Sequence, residues 1–399
     1  MFKKTIISWS VASALLVMSG AASASGFALI EQSASGLGNA FAGGSAVAED
    51  ASTVFFNPAG MSRIDGKQVA LSVHAITPSA KYTSASGVAS GGDAGGTSVV
   101  PNIYYTMELQ PGLKAGIGVN VPFGLQTNYP AGWAGQNQAL MSKLNTININ
   151  PSLAYQVNDA LSLGIGIDYQ HIKGELSNYG GPVLGTSTVQ GTDNAWGYNL
   201  GVLYKVDEKT RVGAAYRSAI SYTLNGTVTT SLPYANGPVS LGIKLPDSWS
   251  ISVFHKLSDT YDLMADISRT NWSTFKQVNV VNASGASISN TVEDWKDTTR
   301  VSVGATHHYN EQWSARAGLA YDQAPVPVDH RTARIPDNNR TWLALGGQYK
   351  VNKESAIDFG YAHLFVSDTT INSATPAPAL VGTYQINVNI LSAQYTQSF

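Results

Sequence analysis

Apolar side chains alternate with small or polar ones through most of this chain, with a period of two residues. In LKAGIGVNVPF, residues 113–123, Leu, Ala, Ile, Val and Phe occupy every second position, and Lys, Gly, Asn and Pro lie between them. The same period runs through LSLGIGIDYQ at 161–170, RVGAAYR at 211–217 and RVSVGATH at 300–307. Successive side chains of a β-strand point to opposite faces, so the pattern predicts strands with one apolar face.

Composition indicates that these apolar faces meet lipid. Charged residues make up 13% of the chain, about half the usual share of a soluble globular protein. That share is too small to cover a water-facing surface of this size. After residue 24 no run of about eighteen apolar residues occurs, so transmembrane helices are excluded. The predicted fold class is an all-β transmembrane barrel, and a secreted β-sandwich or propeller is the alternative.

The connections between the predicted strands fall into two classes that alternate along the chain. Short polar turns lie at 110–112, 158–160, 207–210, 258–260, 310–312 and 352–354. Long loops rich in Gly, Ser, Asn and Pro lie at 79–97, 124–142, 177–192, 226–238, 276–291, 324–338 and 372–382. They imply about fourteen strands with both ends on the short-turn side, the asymmetry of outer-membrane barrels. Aromatic residues near the short turns fit an interfacial girdle: Tyr155, Tyr204, Tyr261, Tyr309, Trp313 and Tyr349.

The beginning of the chain does not alternate. Lys3 and Lys4 precede an apolar run and Ala22-Ser23-Ala24 follows it, so residues 1–24 are interpreted as a secretory signal peptide. Residues 25–65 are rich in Gly, Ala and Ser and are too few to bury a core alone. A barrel of about fourteen strands has a lumen that needs filling. We therefore infer that residues 25–65 form a plug and residues 66–399 the barrel.

Several motifs are similar to those of one family. They are SGLGNAFAGGSAVAEDASTVFFNPAGM at 35–61, NVPFGLQTNYPAGWAGQ at 120–136, YRS at 216–218, LPDSW at 245–249, RAGLAYDQAPVP at 316–327 and RIPDNNRTWLALG at 334–346. Across the mature chain, the sequence resembles the long-chain fatty-acid transporter (FadL) family, with its aromatic-hydrocarbon uptake branch. The resemblance implies a barrel in the cell outer membrane, with an amino-terminal hatch that carries the Asn-Pro-Ala turn near its centre.

The hatch is expected to be gated at Asn57-Pro58-Ala59. Pro58 has a fixed φ and no N–H, which suits the first position of a helix, and Asn57 can cap the free N–H groups there. The turn is either a latch or a purely structural helix start. The other gating candidates are Phe55, Phe56, Glu49 and Asp50.

The third strand is expected to open the wall sideways. Pro122 removes a donor from the ladder and Gly124 removes side-chain bulk, which should bend the strand and interrupt its pairing. Family members are similar in having a kinked third strand that opens laterally, and an ordinary strand end is the alternative. The candidates are Asn120, Val121, Pro122, Phe123 and Gly124.

The loop after this strand is apolar where a polar loop is usual. Its apolar residues include Leu125, Tyr129, Trp133, Leu140 and Met141. Exposed apolar clusters mark binding surfaces, so we predict an extracellular capture groove, which the family also places on this loop. Packing against the barrel rim is the alternative.

A carboxylate ligand would need cations in the lumen. Arg211 and Arg217 share one face of their strand, and an arginine fork suits a carboxylate. The other candidates are Lys296, Arg300 and, where family members place pocket basic groups, Lys173. Alternatively, these cations pair with hatch carboxylates such as Glu49 or Asp50, and the acidity of the ligand stays open.

These features predict uptake of a long-chain fatty acid or a similar hydrophobic compound by capture, lumenal binding, hatch movement and lateral release. The alternatives are a general porin for small polar solutes, or a barrel lipase or protease that uses His171, His307 or His308. No G-x-S-x-G elbow occurs, so we expect no enzyme.

The expected partners, besides the ligand, are outer-membrane lipid and lipopolysaccharide. The C-terminal Phe399 is expected to bind the barrel assembly machinery. A net charge of −2 gives no indication of nucleic-acid binding, and zero cysteines rule out thiolate metal sites. We expect no cofactor and no metal.

Overall fold

The computed structural model describes residues 25–87, 90–374 and 376–399. The predicted signal peptide, residues 1–24, lies outside these described residues. Among the helices of the described residues, none has the length and apolar character needed to cross a membrane.

The described residues form twenty strand segments in one antiparallel sheet. They are β1 (Lys67–Ser84), β2 (Ser98–Gln110), β3 (Leu113–Asn120), β4 (Gly124–Asn128), β5 (Met141–Gln156), β6 (Leu161–Tyr179), β7 (Thr186–Lys205), β8 (Thr210–Arg217), β9 (Ile220–Thr229), β10 (Gly237–Leu245), β11 (Ser248–Lys256), β12 (Tyr261–Thr270), β13 (Gln277–Asn282), β14 (Ser287–Val292), β15 (Thr298–His308), β16 (Trp313–Asp322), β17 (Arg340–Lys350), β18 (Ser355–Val366), β19 (Thr369–Ser373) and β20 (Leu380–Ser398). The helices are short: α1 (Ala34–Leu37), α2 (Gly44–Val47), α3 (Thr53–Phe56), α4 (Gly181–Leu184) and 3-10 turns at Pro58–Arg63, Pro233–Ala235, Trp272–Thr274 and Val328–His330.

These segments make fourteen crossings of one closed wall. Six crossings consist of two segments each: β3 with β4, β8 with β9, β10 with β11, β12 with β13, β14 with β15, and β18 with β19. β1 pairs with β2 on one side and with β20 on the other, so the sheet closes on itself. The prediction of a closed barrel of about fourteen antiparallel strands is confirmed.

Burial alternates along the strands as predicted. In β6, Ser162 and Asp168 are buried, whereas Ile165 and Ile167 are 51% and 52% exposed. Strands with an apolar outer face and a small or polar inner face suit a wall that has lipid outside and a polar lumen inside.

The residues before β1 contact the inner face of the wall on several sides. Backbone N–H groups of Ala34, Ser45 and Ala51 donate to side chains of β20, β11 and β1, at 3.1, 3.0 and 2.7 Å. Asn39 Nδ2 donates to Thr306 Oγ1 of β15 at 3.2 Å. Because these strands lie on different sides of the ring, the N-terminal segment extends across the lumen.

Inward-facing glycines make room for this segment. Gly164 and Gly201 are cross-strand partners in β6 and β7. A Cβ atom at either position would overlap the turn at residues 57–59. Gly318 lies in the same way against the backbone of Asn39. The small, inward-facing residues of the alternating pattern therefore allow the N-terminal segment to pack closely against the wall.

The predicted helix start at Asn57 is confirmed. A 3-10 turn spans Pro58–Arg63, and Asn57 Oδ1 accepts a hydrogen bond from Ala59 N at 3.1 Å. Asn57 Nδ2 donates to Ser45 O at 2.6 Å and to Val202 O of β7 at 2.9 Å. One buried side chain thus joins the turn, the rest of the N-terminal segment and the wall.

Candidate ligand cavities and wall gap

The third crossing of the wall is interrupted between β3 and β4. β3 pairs with β2 as far as Val119, which lies opposite Ile103. Among the described residues, β4 pairs only with β5, and residues 98–102 of β2 pair only with β1. The predicted interruption at Pro122 is confirmed, and it leaves a gap in the ladder between β2 and β4.

Residues 27–32, which we call the N-terminal strip, lie against this gap from the inside. Leu29 N donates to Pro122 O at 2.8 Å, and Gly124 N donates to Phe27 O at 2.9 Å. This is the antiparallel bonding that a neighbouring strand would make. The strip therefore satisfies backbone groups that β2 leaves unpaired on the broken strand.

The strip also bonds to the opposite edge of the gap. Asn102 Nδ2 of β2 donates to Glu31 O at 3.0 Å. Gln32 Nε2 donates to Val121 O of the broken strand at 3.0 Å. Because it holds both edges, the strip closes the gap in this conformation.

Glu31 places an acidic side chain inside this closure. The residue is 1% exposed, and one of its carboxyl oxygens, Oε2, has no hydrogen-bond partner among the described residues. Burial raises the pKa of Glu31 to about 7, against the lowering effect of Arg340 and Arg300. The closed strip therefore holds a carboxyl group that exchanges its proton near neutral pH.

A central cavity lies behind the strip, with an empty volume of about 1080 Å³, open solvent included. Residues 28–30 of the strip line it. The sequence candidates that line it are Phe55, Phe56, Pro58, Pro122, Phe123, Arg217 and Arg300. The structure thus brings hatch, wall-gap and cation candidates to one space.

The arginines of this cavity hold the N-terminal segment in place. Arg217 Nη1 lies 2.5 Å from Asp168 Oδ1, and its Nη2 donates to Phe55 O at 3.0 Å. Arg300 Nη2 donates to Ala40 O at 2.7 Å. These guanidinium groups bind backbone carbonyls of the segment and a carboxylate of the wall.

The hatch carboxylates have other partners. Glu49 Oε1 lies 3.0 Å from Arg316 Nη2, and Asp50 Oδ2 accepts hydrogen bonds from Ser35 Oγ and Gln394 Nε2 at 2.7 and 2.8 Å. The expectation that Glu49 or Asp50 pairs with the candidate cations is therefore wrong. Arg316, which the sequence pattern did not indicate as a candidate, takes that role.

Two candidate cations do not face the lumen. Lys173 is exposed on the same face of β6 as Ile165 and Ile167, so it points away from the lumen. Lys296 is exposed in the segment between β14 and β15. Their predicted lumenal role is wrong, and for Lys173 the two-residue period already placed it on the apolar face.

A second cavity lies towards the long-loop end, with an empty volume of about 770 Å³, open solvent included. Its lining is mainly apolar and includes Leu125, Leu144, Leu176, Val189, Leu224 and Ile243. Phe27 also lines it, while residues 28–30 line the central cavity. The start of the strip therefore lies between the two cavities. The ring centre of Phe27 lies 4.7 Å from that of Trp272 and 5.5 Å from that of Trp295.

Arg334 supplies a cation to this outer cavity. Its Nη1 donates to Met141 O, Ser142 Oγ and Ser177 O at 3.0, 3.1 and 3.3 Å. Among the described residues its Nε and Nη2 have no partner, so they are available to a ligand. Arg334 begins one of the family motifs, but the sequence does not indicate this role, because only the folded loop turns the side chain inward.

Glu293 is an acidic residue that lines the same cavity as Arg334. Glu293 Oε2 accepts a hydrogen bond from Trp295 Nε1 at 2.8 Å. Burial raises the pKa of Glu293 to about 8, so its carboxyl is mainly neutral at pH 7. Glu175 and Lys143 also line the cavity and lie opposite each other on β6 and β5, so these two opposite charges balance and Arg334 is left as the remaining cation of the lining.

The predicted capture groove is packed against the barrel rim. Tyr129 and Trp133 are stacked with ring centres 4.0 Å apart, and they are 4% and 2% exposed. Tyr129 Oη donates to Ala333 O at 2.7 Å, and Trp133 Nε1 donates to Ala139 O at 2.8 Å. The predicted exposure is wrong for these two rings. Of the other members, Leu140 and Met141 are half-buried and Leu125 lines the outer cavity.

The candidate histidines are not brought together. His307 and His308 are neighbours on one strand and face opposite sides. His308 lies 2.7 Å from Asp262 and 2.8 Å from Ser314, and it thereby joins β12, β15 and β16. His171 is hydrogen-bonded to Asn194 on the neighbouring strand.

Comparison with known proteins gives consistent similarities in sequence. The profile of the family described as outer membrane protein transport protein (OMPP1/FadL/TodX) matches residues 15–399. The long-chain fatty acid transport protein of Salmonella typhi is 29% identical over 412 residues, which cover 93% of this chain and 95% of that protein. Outer membrane protein P1 of Haemophilus influenzae is 31% identical over 408 residues, which cover 89% of each.

Solved structures share the architecture. A Pseudomonas aeruginosa FadL homologue superposes with a TM-score of 0.87 at 25% identity, covering 94% of this chain and 99% of that one. The Pseudomonas putida toluene transporter TodX has the same fold, with a TM-score of 0.72 at 19% identity and coverage of 94% and 99%. The chain belongs to the OMPP1/FadL/TodX family of outer-membrane transport proteins.

Proposed function

We propose that this protein takes up long-chain fatty acids or similar hydrophobic acids through the outer membrane and releases them sideways into it. Its family consists of outer-membrane transporters rather than enzymes. The observation that carries the proposal is the N-terminal strip, because the same six residues separate the two cavities and close the wall gap. Displacing the strip would join the outer cavity to the lipid.

Lateral release follows from the cost of wetting a hydrocarbon. Moving one CH₂ group from apolar surroundings into water costs about 0.8 kcal/mol, so a long acyl chain in a water-filled pore loses on the order of 10 kcal/mol. A route that runs through an apolar cavity and then into lipid avoids this cost.

The charge of the outer cavity supports an acidic ligand. Arg334 has free guanidinium nitrogens, the opposite charges of Lys143 and Glu175 balance each other, and Glu293 is mainly neutral at pH 7. A carboxylate would be the natural counter-ion in such a site. The relatives described above are named for fatty acids in one case and toluene in another, and this cavity fits the first class better.

Within the N-terminal segment, we propose that only the strip moves. Residues 33–65, which we call the hatch body, are seated on inward glycines and held by Arg217, Arg300 and Arg316. The strip is held by two backbone bonds at the gap, by side-chain hydrogen bonds of Asn102 and Gln32 and by the packing of Phe27, and it forms no ion pair with the described residues. This narrows the expected hatch movement to six residues at the start of the segment.

A diffusion porin fits less well, because the hatch body occupies the lumen that such a porin would need open.

We propose two further contacts, one at the C-terminus and one on the outer faces of the strands. Phe399 is 75% exposed and its N–H bonds to Lys67 O of β1, so its side chain is accessible to the assembly machinery. The exposed apolar faces of the strands are proposed to contact outer-membrane lipid and lipopolysaccharide.

A disulfide between the strip and the broken strand tests the proposal. Ala28 and Phe123 face each other as a non-hydrogen-bonded antiparallel pair, the geometry in which Cα atoms come closest. The natural chain has no cysteine, so A28C/F123C creates a single possible bridge. We expect the oxidised variant to lose uptake of a radiolabelled long-chain fatty acid by at least about tenfold, with recovery on reduction.

The single variants A28C and F123C are the controls, since neither can form the bridge. Mass spectrometry of the oxidised protein establishes that the bridge has formed. Uptake at the wild-type rate with the bridge intact would show that the strip does not gate transport.

A further inference from the structure

A third cavity lies under the hatch body, at the end of the barrel that carries the short turns. It has an empty volume of about 520 Å³, open solvent included. The 3-10 turn that follows Asn57 ends at its edge with Arg63, and the short turn at Asp159 and Ala160 forms another side. Short turns mark the periplasmic end of an outer-membrane barrel, so the cavity opens to the periplasm.

One cation of this cavity is fixed in position. Arg211 Nε donates to Ala46 O and Nη2 donates to Val47 O, each at 2.6 Å. Its guanidinium group also lies 3.7 Å from the ring centre of Phe254. Among the described residues its Nη1 has no hydrogen-bond partner. The guanidinium group of Arg211 is therefore fixed in position, and its Nη1 can donate to a ligand.

The second cation comes from the N-terminal segment. Arg63 is exposed and forms no ion pair or side-chain hydrogen bond with any described residue. It lines the same cavity as Arg211, so two positive charges share one space. Like charges that share a cavity repel each other unless an anion lies between them.

The remaining charges do not cancel this pair. Lys205 also lines the cavity, but it is neutralised by Glu208 at 2.6 Å. Asp159 is the one acid among the lining residues, and it lies beyond ion-pair distance of the described cations. With Lys205 and Glu208 balanced, two arginines and one aspartate leave one positive charge among the lining residues. Glu49 and Asp262, which also act on Arg211, lie outside the lining and have partners in Arg316 and His308. Ser162 lines the cavity too and adds a hydroxyl donor.

We propose that this cavity binds a singly charged oxyanion, a carboxylate or a phosphodiester, between Arg63 and Arg211. Guanidinium groups present paired N–H donors that match the oxygens of such groups. The bound anion joins the last turn of the hatch body to β8 of the wall. The anion thereby stabilises the periplasmic side of the hatch body. This role is independent of the strip and of the proposed ligand route.

Acetate and dimethyl phosphate are the probes, each titrated into the full-length protein in an uncharged detergent at constant ionic strength. Binding is read by ligand-observed NMR and by hydrogen exchange of residues 59–64. We expect saturable binding and slower exchange at the turn. In Arg63→Gln the affinity should fall at least about tenfold, and Arg63→Lys should recover part of it.

Lys209→Gln is the matched control, because Lys209 is an exposed cation of a neighbouring short turn that does not line the cavity. Preference for acetate would identify a carboxylate, and preference for dimethyl phosphate would identify a phosphodiester such as that of a lipid head group. Absence of saturable binding for both anions would overturn the proposal. So would equal affinity in the wild type, Arg63→Gln and Lys209→Gln.

Discussion

At the scale of single residues, the chemistry of this lumen depends on a few charges that burial has changed. Arg334 keeps two guanidinium nitrogens free in an apolar cavity, while the neighbouring Glu293 is held mainly neutral. Glu31 is buried in the strip that closes the wall. Substitutions of Arg334 and Glu31 test these roles.

Replacing Arg334 should separate acidic from neutral ligands. A hydrogen bond to a charged group contributes about 1.5–3 kcal/mol, so Arg334→Gln should weaken binding of a fatty carboxylate by roughly ten- to a hundredfold. The methyl ester of the same acid should bind almost unchanged. Isothermal titration with both compounds measures the two affinities. Lys173→Gln, on the outer face of β6, is the control. Equal losses for acid and ester would contradict a carboxylate site.

Glu31 should make closure of the strip depend on pH. The pKa of Glu31 rises from 4.5 to about 7 in the closed strip, so the closed strip binds the proton more tightly than a released one. Closure is then strongest below pH 4.5 and weakens as the pH rises towards 7. Burial is the main cause of this raised pKa, and the charges of Arg340, Arg300 and Asp322 act on the same carboxyl group.

Hydrogen exchange at the amide of Gly124, corrected for its intrinsic pH dependence, measures this closure. Between pH 5.5 and 8 the opening equilibrium should increase roughly tenfold or more in the wild type. In Glu31→Gln it should stay flat. An identical pH profile in both proteins would exclude Glu31 as the group responsible.

At the scale of elements, the inner faces of the strands and the hatch body fit each other through glycine. Gly164 of β6 and Gly201 of β7 leave the space that the turn at 57–59 occupies. The broken third crossing shows the opposite case, in which Pro122 removes a wall contact and the strip replaces it. Both features arise where one chain segment has to approach the backbone of another.

Adding one methyl group at Gly201 should therefore unseat the turn. In Gly201→Ala the new Cβ would overlap Asn57 Oδ1, and such overpacking costs about 1–3 kcal/mol. We expect a lower thermal unfolding midpoint and faster hydrogen exchange at residues 57–60. Gly242→Ala is the matched control, because a Cβ at Gly242 of β10 meets no atom within 4 Å. Similar behaviour of the two variants would show that the turn is not seated as described.

At the scale of the whole molecule, we propose separate tasks for the wall, the hatch body and the strip. The wall is a closed ring of fourteen crossings, the hatch body contacts its inner face on several sides, and the strip bonds to both edges of the gap. Deleting parts of the N-terminal segment should therefore have different effects on ion flow. The outcome depends on which part remains.

Removing residues 25–65 should convert the protein into a conducting pore, because nothing then occupies the lumen. Removing only residues 27–32 should leave conductance low, since the hatch body stays seated on the inner glycines. Single-channel recording in planar bilayers measures both variants against the wild type. Equal conductance of the two deletions would refute the separation of hatch body and strip.

The predictions that succeeded from sequence are those that depend on local periodicity. The alternation from Leu161 to Gln170 assigns its outer and inner faces directly, and the lengths of the connections count the crossings. Pro122 and Asn57 could also be interpreted alone, because a missing N–H and a capping side chain act on their nearest neighbours.

The predictions that failed concern partners far apart in the chain. Tyr129 and Trp133 are apolar residues of a loop, and only the fold shows that the rim buries them. Arg334 is a loop residue of ordinary appearance, and Arg316 shares its strand with small residues that give no sign of Glu49. Long-range pairing is set by how the wall closes, which local patterns do not encode.

By itself the sequence determined a closed wall of about fourteen strands, its lipid-facing side, its short-turn end and the weak point at Pro122. These follow from the two-residue period and from backbone chemistry, which act between neighbours. Only the tertiary structure decided that the strip closes the weak point and separates two cavities, and that Arg334 supplies the outer cation. Those relations join residues 71 to 193 positions apart, and they exist only once the ring has closed.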